Sequence, residues 1–588
     1  MYSKRRRIGS TTQPMENRMW QMESRIQWTE NRAQRSESRT RRMGDKTKMP
    51  PSPAISGVSL PERFCIRFVQ AFLCGILLFL TGLSAFVTCT VYGGAEIVEY
   101  GRDHPLFHVS AFALLLWFLR QKRVGEAGKA LSAREKRAAT GRYTRLTVIA
   151  AAALAVWTLL LMGWAGSDSR LCMESARCLL EGDRSPWAPV RFSYGSEGGA
   201  QGYAYTYPLQ NGLILYMAVF YSVFRGAAPY AMQLFNIGFL ILGMACLAAF
   251  VRHSGGERRR ADLPGQAGGL FLCLILYLPF SFYVVFTYGT MPGFGLSCLA
   301  LYRIGRYIRE ERGMDLWIGA AAATGAVFLK SNYQIALAAL VIDLAAEAVF
   351  QKRRRLFAAA LIVAAVYMAG SKGLGFCMER LTGAPASKGI PMAAWAEMGL
   401  SEGKRGPGWY NGYNVRVFWE NGGDTERAKE AVRRDLAETI SDLAADPGAC
   451  ADFFVRKTAS IWAEPTFQSL WIQEVGGGLA LLHDMKRSLF KKGGVLNALY
   501  LLTVNWLQTL IYAGALLWVL LEWKRIRWGN LIPGIIFIGG FLFHLVWEAK
   551  GQYTVCYAVL LIPYAWTGIR RAALAVDRFM AKRSVLPE

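Results

Sequence analysis

Long apolar stretches separated by short polar segments dominate the chain from residue 66 onward. Twelve of them span roughly 15 to 25 residues, the length that the hydrocarbon core of a bilayer demands. The pattern predicts an all-α polytopic membrane protein with twelve or thirteen transmembrane helices. The stretches lie at 66–92, 105–119, 145–165, 229–251, 268–288, 291–305, 314–330, 332–350, 356–373, 495–521, 530–547 and 552–569.

Basic residues cluster in short runs between these stretches and predict which loops face the cytoplasm. The run at 120–145 holds nine basic residues against two acidic ones. Because cytoplasmic loops carry an excess of Lys and Arg, such runs are assigned to the inside and the intervening tips to the outside. Further runs lie at 258–260, 303–312, 352–355, 524–527 and from 570 onward.

The long polar segment at 376–493 is predicted to be a large extracytoplasmic loop. It counts 15 Lys and Arg against 15 Asp and Glu, unlike the basic short loops. The same assignment predicts that four tips meet on the outer face of the membrane. These tips are 167–208, 288–293, 330–332 and 548–553.

Residues 211–224 do not fit a simple alternation of crossings. They are apolar, but a full crossing here would place the basic run that follows residue 251 on the wrong side of the membrane. We therefore expect a short re-entrant or interfacial helix. In the version with twelve crossings, both ends of the chain are cytoplasmic.

The pattern divides the chain into six parts. They are a largely disordered basic cytoplasmic tail at 1–65, two transmembrane helices with a basic loop at 66–144, a transmembrane core at 145–375 whose first outer loop is 167–208, the outer loop at 376–493, C-terminal transmembrane helices at 494–570, and a cytoplasmic tail at 571–588. The first 50 residues carry 13 basic and 5 acidic residues and no early apolar core of a signal peptide. A seven-residue repeat beside a seam of methionines leaves a short coiled coil as the alternative for this tail.

Composition excludes a soluble enzyme of this size. The 588 residues are 53% hydrophobic and 19% charged, with a mean hydropathy of +0.21. The net charge of +26 falls in short runs between apolar stretches, which indicates membrane topology rather than nucleic-acid binding. The eleven cysteines form no CxxC pair and the five histidines are scattered, so the sequence predicts neither a zinc site nor a disulfide framework.

The first outer loop contains a candidate catalytic carboxylate, Asp168. It precedes a stretch, 169–181, with opposite charges spaced four residues apart, which predicts an interfacial helix. Asp is a favoured N-cap residue, so a capping role and a catalytic role are both open from the spacing alone.

Polar and aromatic residues at the other tips are candidates for substrate binding. Tyr207 and Gln210 stand in a tyrosine-rich stretch that is typical either of an interfacial aromatic belt or of a sugar-binding surface. Ionisable residues at membrane depth are functional by default, although lysines there also extend to lipid head groups. The candidates at the two later tips are Lys330, Asn332, Glu548, Lys550, Gln552 and Tyr553.

In this order, the features resemble the C-type glycosyltransferase superfamily, in particular the bacterial glycosyltransferase family 39-like membrane proteins. Relatives of that family include protein O-mannosyltransferases and the aminoarabinose transferases that modify lipid A. The resemblance covers about 145–570 and rests on the ordered set rather than on any one motif. Its members are Asp168, Tyr207 to Gln210, Gln233 to Asn236, Lys330 to Asn332, Trp395 to Leu400, Pro407 to Asn411, and Trp547 to Tyr553.

The resemblance implies a C-type glycosyltransferase helical bundle in a bacterial plasma membrane, with its active site on the extracytoplasmic face. The implied reaction moves a sugar from a polyprenyl-phosphate donor to an extracytoplasmic acceptor, which is a cell-envelope polymer, a lipid or a protein. Asp168 would act as general base, and Lys330 and Lys550 would bind the donor phosphate. The substrate-binding residues would be Tyr207, Gln210, Asn332, Glu548, Gln552 and Tyr553.

The sequence departs from the family pattern in two places, and it lacks a motif that is typical of metal-dependent glycosyltransferases. Many relatives pair the first acid with a second one nearby, whereas Ser169 and Arg170 follow here, and the helices before residue 145 have no clear counterpart. The family's arrangement needs no metal, and the sequence lacks a DxD motif, so we expect an inverting reaction without metal or other cofactor.

Two functions of other classes compete with the enzyme. Lys and Glu at membrane depth also mark the ion pathways of a transporter or lipid flippase, but the chain shows no two matching hydropathy halves. A non-catalytic envelope scaffold is the third hypothesis, because a fold does not fix a function. Membrane lipids are expected partners and nucleic acid is not; the sugar, the acceptor and the oligomeric state stay open.

Overall fold

The computed structural model is almost entirely α-helical, and the predicted class, an all-α polytopic membrane protein, is confirmed. It describes residues 59–92, 96–124, 133–161, 166, 168–194, 199–254, 264–385, 387–475 and 483–583. The heptad repeat and nearly all of the predicted basic tail lie outside these residues.

The N-terminal half contains a β-hairpin followed by helices. In chain order its elements are α1 Leu60–Phe86, β1 Val87–Tyr92, β2 Ile97–Arg102, α2 Pro105–Val124, α3 Ala133–Leu161, α4 Asp168–Glu181, α5 Tyr203–Thr206, α6 Asn211–Phe224, α7 Ala228–Ser254, α8 Pro264–Ile275, α9 Leu278–Ser281 and α10 Thr290–Glu310. The rest of the described chain is helical: α11 Gly313–Leu329, α12 Gln334–Phe350, α13 Arg354–Thr382, α14 Ala393–Leu400, α15 Tyr413–Glu420, α16 Thr425–Ala445, α17 Pro447–Trp462, α18 Ser469–Val475, α19 His483–Phe490, α20 Val495–Glu522, α21 Ile532–Val546, α22 Gly551–Ala558 and α23 Ile562–Arg583.

Six helical stretches of the described chain are long and apolar enough to cross a membrane, and four shorter apolar helices accompany them. The long stretches are Leu60–Phe86, Pro208–Ser254, Ser331–Phe350, Arg354–Thr382, Val495–Glu522 and Gly551–Asp577. The shorter ones are Pro105–Trp117, Thr144–Leu160, Gly313–Leu329 and Ile532–Val546. The protein is therefore a multi-pass membrane protein by the length and composition of its helices.

The first predicted crossing, 66–92, is wrong at its C-terminal end. Helix α1 stops at Phe86, and the next six residues form strand β1, which pairs antiparallel with β2 from Val87 opposite Arg102 to Tyr92 opposite Ile97. The strand contains four β-branched residues in six, which suit a pleated surface better than a helix. The chain therefore reverses direction in a hairpin.

The predicted crossing at 268–288 is also wrong as one continuous helix. Helix α8 ends at Ile275, and the chain continues through two short helical turns, Leu278–Ser281 and Phe282–Val285. Pro279 lies four residues after Ile275, and because proline has no backbone N–H it cannot donate the hydrogen bond to the Ile275 carbonyl that a continuous helix would need. The break frees the carbonyls of Val284 to Phe286, which accept hydrogen bonds from Gln233 and Asn236.

Helix α6 begins beside the short segment that also contacts the next long helix. Gln210, just before α6, donates to the Tyr288 hydroxyl, and Asn236, two turns into α7, donates to the Phe286 carbonyl. The stretch Pro208–Ser254, which contains α6 and α7, is as a whole long and apolar enough to cross a membrane. The re-entrant or interfacial placement of α6 stays a prediction.

The long polar segment is an ordered helical layer rather than a loop. Helix α13 continues to Thr382, so the segment begins about seven residues later than 376, and α14 to α19 follow within it. Asp424 and Asp446 cap α16 and α17 by accepting hydrogen bonds from backbone amides of the first turn. The predicted C-terminal tail, 571–588, is likewise helical as far as Arg583.

The helical layer shares one hydrophobic core with the first outer loop. Trp395, Met398 and Phe418 of the layer are buried together with Tyr203 and Tyr207 of the loop. The two segments are almost 190 residues apart in the sequence, and their packing forms one wall of the cavity described next.

Candidate functional site

A cavity of about 370 Å³ lies where the four predicted tips meet. Its walls come from the first outer loop, the segments around Tyr288, Lys330 and Glu548, the helical layer, and Glu96 of the hairpin. Most of its lining side chains are charged, amide-bearing or aromatic. A cavity with convergent polar groups and aromatic faces at the ends of apolar helices is a reasonable candidate for a binding site.

The structure brings all nine predicted site residues to this region. Eight of them line the cavity: Asp168, Tyr207, Gln210, Lys330, Asn332, Glu548, Lys550 and Tyr553. Gln552 lines a smaller recess beside it, together with Asp168, Lys550 and Tyr553. The convergence of the four tips is thus observed, whereas the roles of the residues and the membrane face remain predictions.

Asp168 is the first residue of α4 and is partly buried. The next residue, Ser169, anchors the helix start by donating a 2.5 Å hydrogen bond to the Thr287 carbonyl. The Asp168 carboxylate accepts a 2.7 Å hydrogen bond from the Tyr194 hydroxyl. Burial raises the pKa of Asp168, and this hydrogen bond and the charge of Lys550 partly oppose the increase. Such a carboxylate can take up a proton more readily than an exposed aspartate.

Lys330 lies in extended backbone between α11 and the turn that precedes α12, and only 6% of the residue is exposed. Its Nζ donates to the Thr290 hydroxyl at 2.9 Å and to the Gln552 carbonyl at 3.3 Å. It also lies 5.6 Å and 5.3 Å from the ring centres of Tyr288 and Tyr553. Burial lowers its pKa to about 8. Both hydrogen-bond acceptors are neutral, so they do not neutralise the positive charge of the Lys330 ammonium group. This charge can therefore attract a bound anion.

Lys550 has a different environment, because carboxylates surround it. Its Nζ lies 2.9 Å from Glu96 Oε1 and 5.2 Å from the ring centre of Trp471. Burial lowers the pKa of Lys550, but the charges of Glu96 and Glu548 more than offset this, so its pKa lies above the ordinary value. Lys550 therefore stays protonated throughout the neutral range.

Glu548 is a buried carboxylate two residues before Lys550. Burial raises its pKa to about 7, although the charge of Lys550 opposes the increase. The neighbouring Ala549 amide donates to the Gly408 carbonyl at 2.7 Å, which fixes the backbone of this tip against the helical layer. At neutral pH Glu548 can exchange a proton or accept a hydrogen bond from a bound hydroxyl group.

An aromatic wall lines one side of the cavity. Trp395 and Trp547 lie parallel, with ring centres 5.9 Å apart and planes 6° apart. Tyr410 packs edge-on against Tyr194 at 6.2 Å, and Tyr207 lies 6.3 Å from Trp395. Flat aromatic faces beside hydrogen-bonding groups suit a sugar ring, whose two faces are apolar and whose rim is polar.

Several cavity residues were not among the predicted site residues. Trp395, Tyr410 and Trp547 belong to the motifs on which the family resemblance rests, but no sequence pattern indicates that they line the same cavity as Asp168. Tyr194 and Arg405 belong to none of these motifs. Glu96 was missed altogether, although two β-rich runs around Gly93 and Gly94 are a recognised hairpin signal.

Metal-binding side chains do not cluster in the part of the chain that the structure describes. No three His, Cys, Asp or Glu residues of that part are arranged to hold a metal ion.

Comparison with known proteins gives one distant structural similarity. No protein-family model matches this sequence, and no curated protein matches it. The fold is similar to that of the archaeal oligosaccharyltransferase AglB from Archaeoglobus fulgidus, whose structure contains an inhibitory peptide and a dolichol-phosphate. Sequence identity is 12% and the TM-score is 0.38, over 76% of this chain and 52% of AglB. The chain thus spans about half the length of that enzyme, and a similarity at this level assigns no function.

Proposed function

We propose that this protein is a membrane glycosyltransferase that moves a sugar from a polyprenyl-phosphate donor to an extracytoplasmic acceptor. The observation that carries the proposal is the joint placement of Asp168, Lys330 and Lys550 in one aromatic-lined cavity at the ends of apolar helices. A carboxylate, two ammonium groups and stacking faces are the groups that this reaction needs. Their position suits a donor whose lipid tail lies in the membrane.

The donor would bind through its phosphate and its sugar. The phosphate requires fixed cations, and Lys330 and Lys550 are the two lysines that line the cavity. The sugar would lie against the aromatic wall and exchange hydrogen bonds with Gln210, Asn332 and Glu548.

Transfer would then proceed by a single displacement. The acceptor hydroxyl attacks the anomeric carbon while its proton passes to the Asp168 carboxylate. The bond between the anomeric carbon and the phosphate oxygen breaks, and its electron pair stays on the phosphate. Attack from the face opposite the leaving group inverts the anomeric centre, by analogy with inverting glycoside chemistry. The phosphate's added negative charge is stabilised by the two lysines.

The test measures transfer of radiolabelled sugar from a panel of polyprenyl-phosphate sugars in membranes at matched expression. We expect Asp168→Asn to reduce transfer by at least about 100-fold, since general-base catalysis contributes on the order of 10²–10⁴. Asp183→Asn is the matched control, because Asp183 is an exposed acid of the same loop whose carboxylate forms local hydrogen bonds with Ser185 and Cys178. It should keep wild-type activity.

Each other outcome has a definite meaning. Transfer that persists in Asp168→Asn would contradict the role of Asp168 as base but keep the enzyme. Absence of transfer by the wild type with every donor, together with no binding of polyprenyl phosphate, would contradict the proposed function and support a transporter or flippase.

A further inference from the structure

The N-terminal hairpin is attached to the helical layer at two places. The Cys89 amide donates to the Ala463 carbonyl at 2.8 Å, and the Val98 amide donates to the Arg405 carbonyl at 2.9 Å. These two contacts fix the hairpin against segments that lie about 300 to 370 residues later in the chain. At the end of the hairpin, the Asp103 carboxylate accepts local hydrogen bonds from His108 and Thr88, both at 2.9 Å.

The hairpin places one carboxylate, Glu96, at the cavity. Glu96 precedes strand β2, and only 4% of the residue is exposed. Its carboxylate pairs with the Arg405 guanidinium and, at 2.9 Å, with the Lys550 ammonium. The Gln468 side-chain amide donates to the same carboxylate at 3.1 Å. One buried acid thus holds two cations and an amide from three separate segments.

The backbone at Glu96 is unusual for a glutamate. Its φ is +52°, in the left-handed region that glycine or asparagine normally occupies in a turn. A glutamate is kept there despite the unfavourable backbone conformation. Strain of this kind concentrates at functional sites and persists where the surrounding contacts determine it.

The contacts of the two cations show what Glu96 does for them. Lys550 lies over the Trp471 ring at 5.2 Å, and Arg405 lies over the Tyr410 ring at 5.4 Å, so each is held between an aromatic face and the Glu96 carboxylate. The ring and the carboxylate together define one position for each charge. A buried cation without its carboxylate loses both its position and part of its charge compensation.

We propose that Glu96 is a positioning residue that holds Lys550 and Arg405 where the phosphate of the lipid donor binds, so that the N-terminal hairpin completes the active site. This inference rests on the proposed function. It assigns a role to a part of the chain that the resemblance to known glycosyltransferases leaves without a counterpart. Arg405 becomes a third cation at the donor phosphate, beside Lys330 and Lys550.

The experiment compares Glu96→Gln with Glu99→Gln in the purified full-length protein. Glu99 is the matched control, because it lies on the same hairpin but pairs with Lys492 at the surface, where both side chains are about half exposed. Binding of a polyprenyl phosphate in detergent and the steady-state constants for transfer are measured from pH 6 to 9. Thermal unfolding of each variant shows whether it is folded.

We expect Glu96→Gln to weaken polyprenyl-phosphate binding and raise the donor KM by on the order of tenfold to hundredfold, with a smaller change in kcat. The weaker binding should be present over the whole range from pH 6 to 9. The alkaline limb should stay at its wild-type pH, because Lys330, whose pKa is about 8, hydrogen-bonds Thr290 and Gln552 rather than Glu96. The charged groups around Lys550 that enter this comparison are Glu96, Glu548, Asp168, Arg405 and Lys330. Glu99→Gln should match the wild type throughout.

A folding defect is separated by Glu96→Asp, which keeps a carboxylate at this position. If folded Glu96→Asp binds polyprenyl phosphate more tightly than folded Glu96→Gln, the positioning role is supported; if it binds no more tightly, the carboxylate is not the group that holds the cations. If folded Glu96→Gln has the donor KM and the donor binding of Glu99→Gln, the inference is wrong while the proposed function stands. If the wild type neither binds polyprenyl phosphate nor transfers sugar, the proposed function itself fails.

Discussion

Lys330 and Lys550 show how two identical side chains in one cavity acquire different chemistry. Lys330 has neutral hydrogen-bond acceptors, and burial lowers its pKa to about 8. Lys550 pairs with Glu96, and the nearby carboxylates keep its pKa above the ordinary value. Of these two lysines, only Lys330 therefore titrates near neutral pH, and it is the one whose charge an incoming phosphate would alter most.

This difference predicts the alkaline limit of donor binding. Because Lys330 loses its proton above pH about 8, the donor KM should rise by about tenfold per pH unit above that value. A sugar phosphodiester keeps its charge in this range, so the rise in donor KM would come from a titrating group of the protein and not from the donor. Lys330→Arg, which stays protonated, should keep the KM flat to pH 9.

Lys330→Gln supplies the control, since it should bind the donor weakly at every pH and show no alkaline limb. The same alkaline limb in Lys330→Arg as in the wild type would show that another group is responsible. Measurement of the donor KM from pH 6 to 9 for the three proteins decides between these outcomes.

Among the elements, helix α17 connects the helical layer to the tip that contains Glu548. Lys457 of this helix is fully buried, and its ammonium donates to the carbonyls of Gly399, Leu545 and Trp547, the last two at 2.9 Å. Burial lowers its pKa to about 7. Its three acceptors lie at the ends of α14 and α21, so one side chain fixes the relative positions of three helices.

We expect Lys457→Met to lower the free energy of unfolding by about 3 kcal/mol, since it leaves buried carbonyls without a donor. Transfer activity should fall as well, because Trp547 and Glu548 lose their support. Lys429→Met is the control: Lys429 is exposed on α16, and its loss should change stability by less than about 0.5 kcal/mol. Equal stability of the two variants in thermal or denaturant unfolding would contradict this role.

At the scale of the whole molecule, the predicted membrane topology separates the helical layer from the basic turns. The neutral charge of 376–493 predicts that the layer lies outside, and the basic turn at Lys352 to Arg355 is predicted to lie on the cytoplasmic side. The proposed site requires this arrangement, because its acceptor is extracytoplasmic.

Two epitope insertions test the topology. Exposed turns tolerate insertion, and both Gly422 and Lys352 lie at helix ends in positive-φ turns. An antibody should reach a tag after Gly422 in intact spheroplasts and a tag after Lys352 only once the membrane is permeabilised. Access to both tags from the same side would overturn the topology and, with it, the extracytoplasmic site.

The sequence by itself determined the helical class, the positions of most apolar helices and the four tips that meet. These features depend on local quantities, namely the length of apolar runs and the charge of the segments between them. The candidate residues at those tips could be named because polar groups at membrane depth are expensive and therefore stand out. The hairpin after Phe86 and the break after Ile275 were missed, because apolar composition by itself does not distinguish a helix from a strand or a turn.

Only the tertiary structure decided which residues complete the cavity. Glu96 meets Lys550 across more than 450 residues and Arg405 across 309, and Lys457 meets Gly399 across 58 and Trp547 across 90. No local sequence pattern predicts contacts between residues so far apart in the chain. Each arises because a buried charge must find an opposite charge or a set of carbonyls wherever the packing of distant helices provides one.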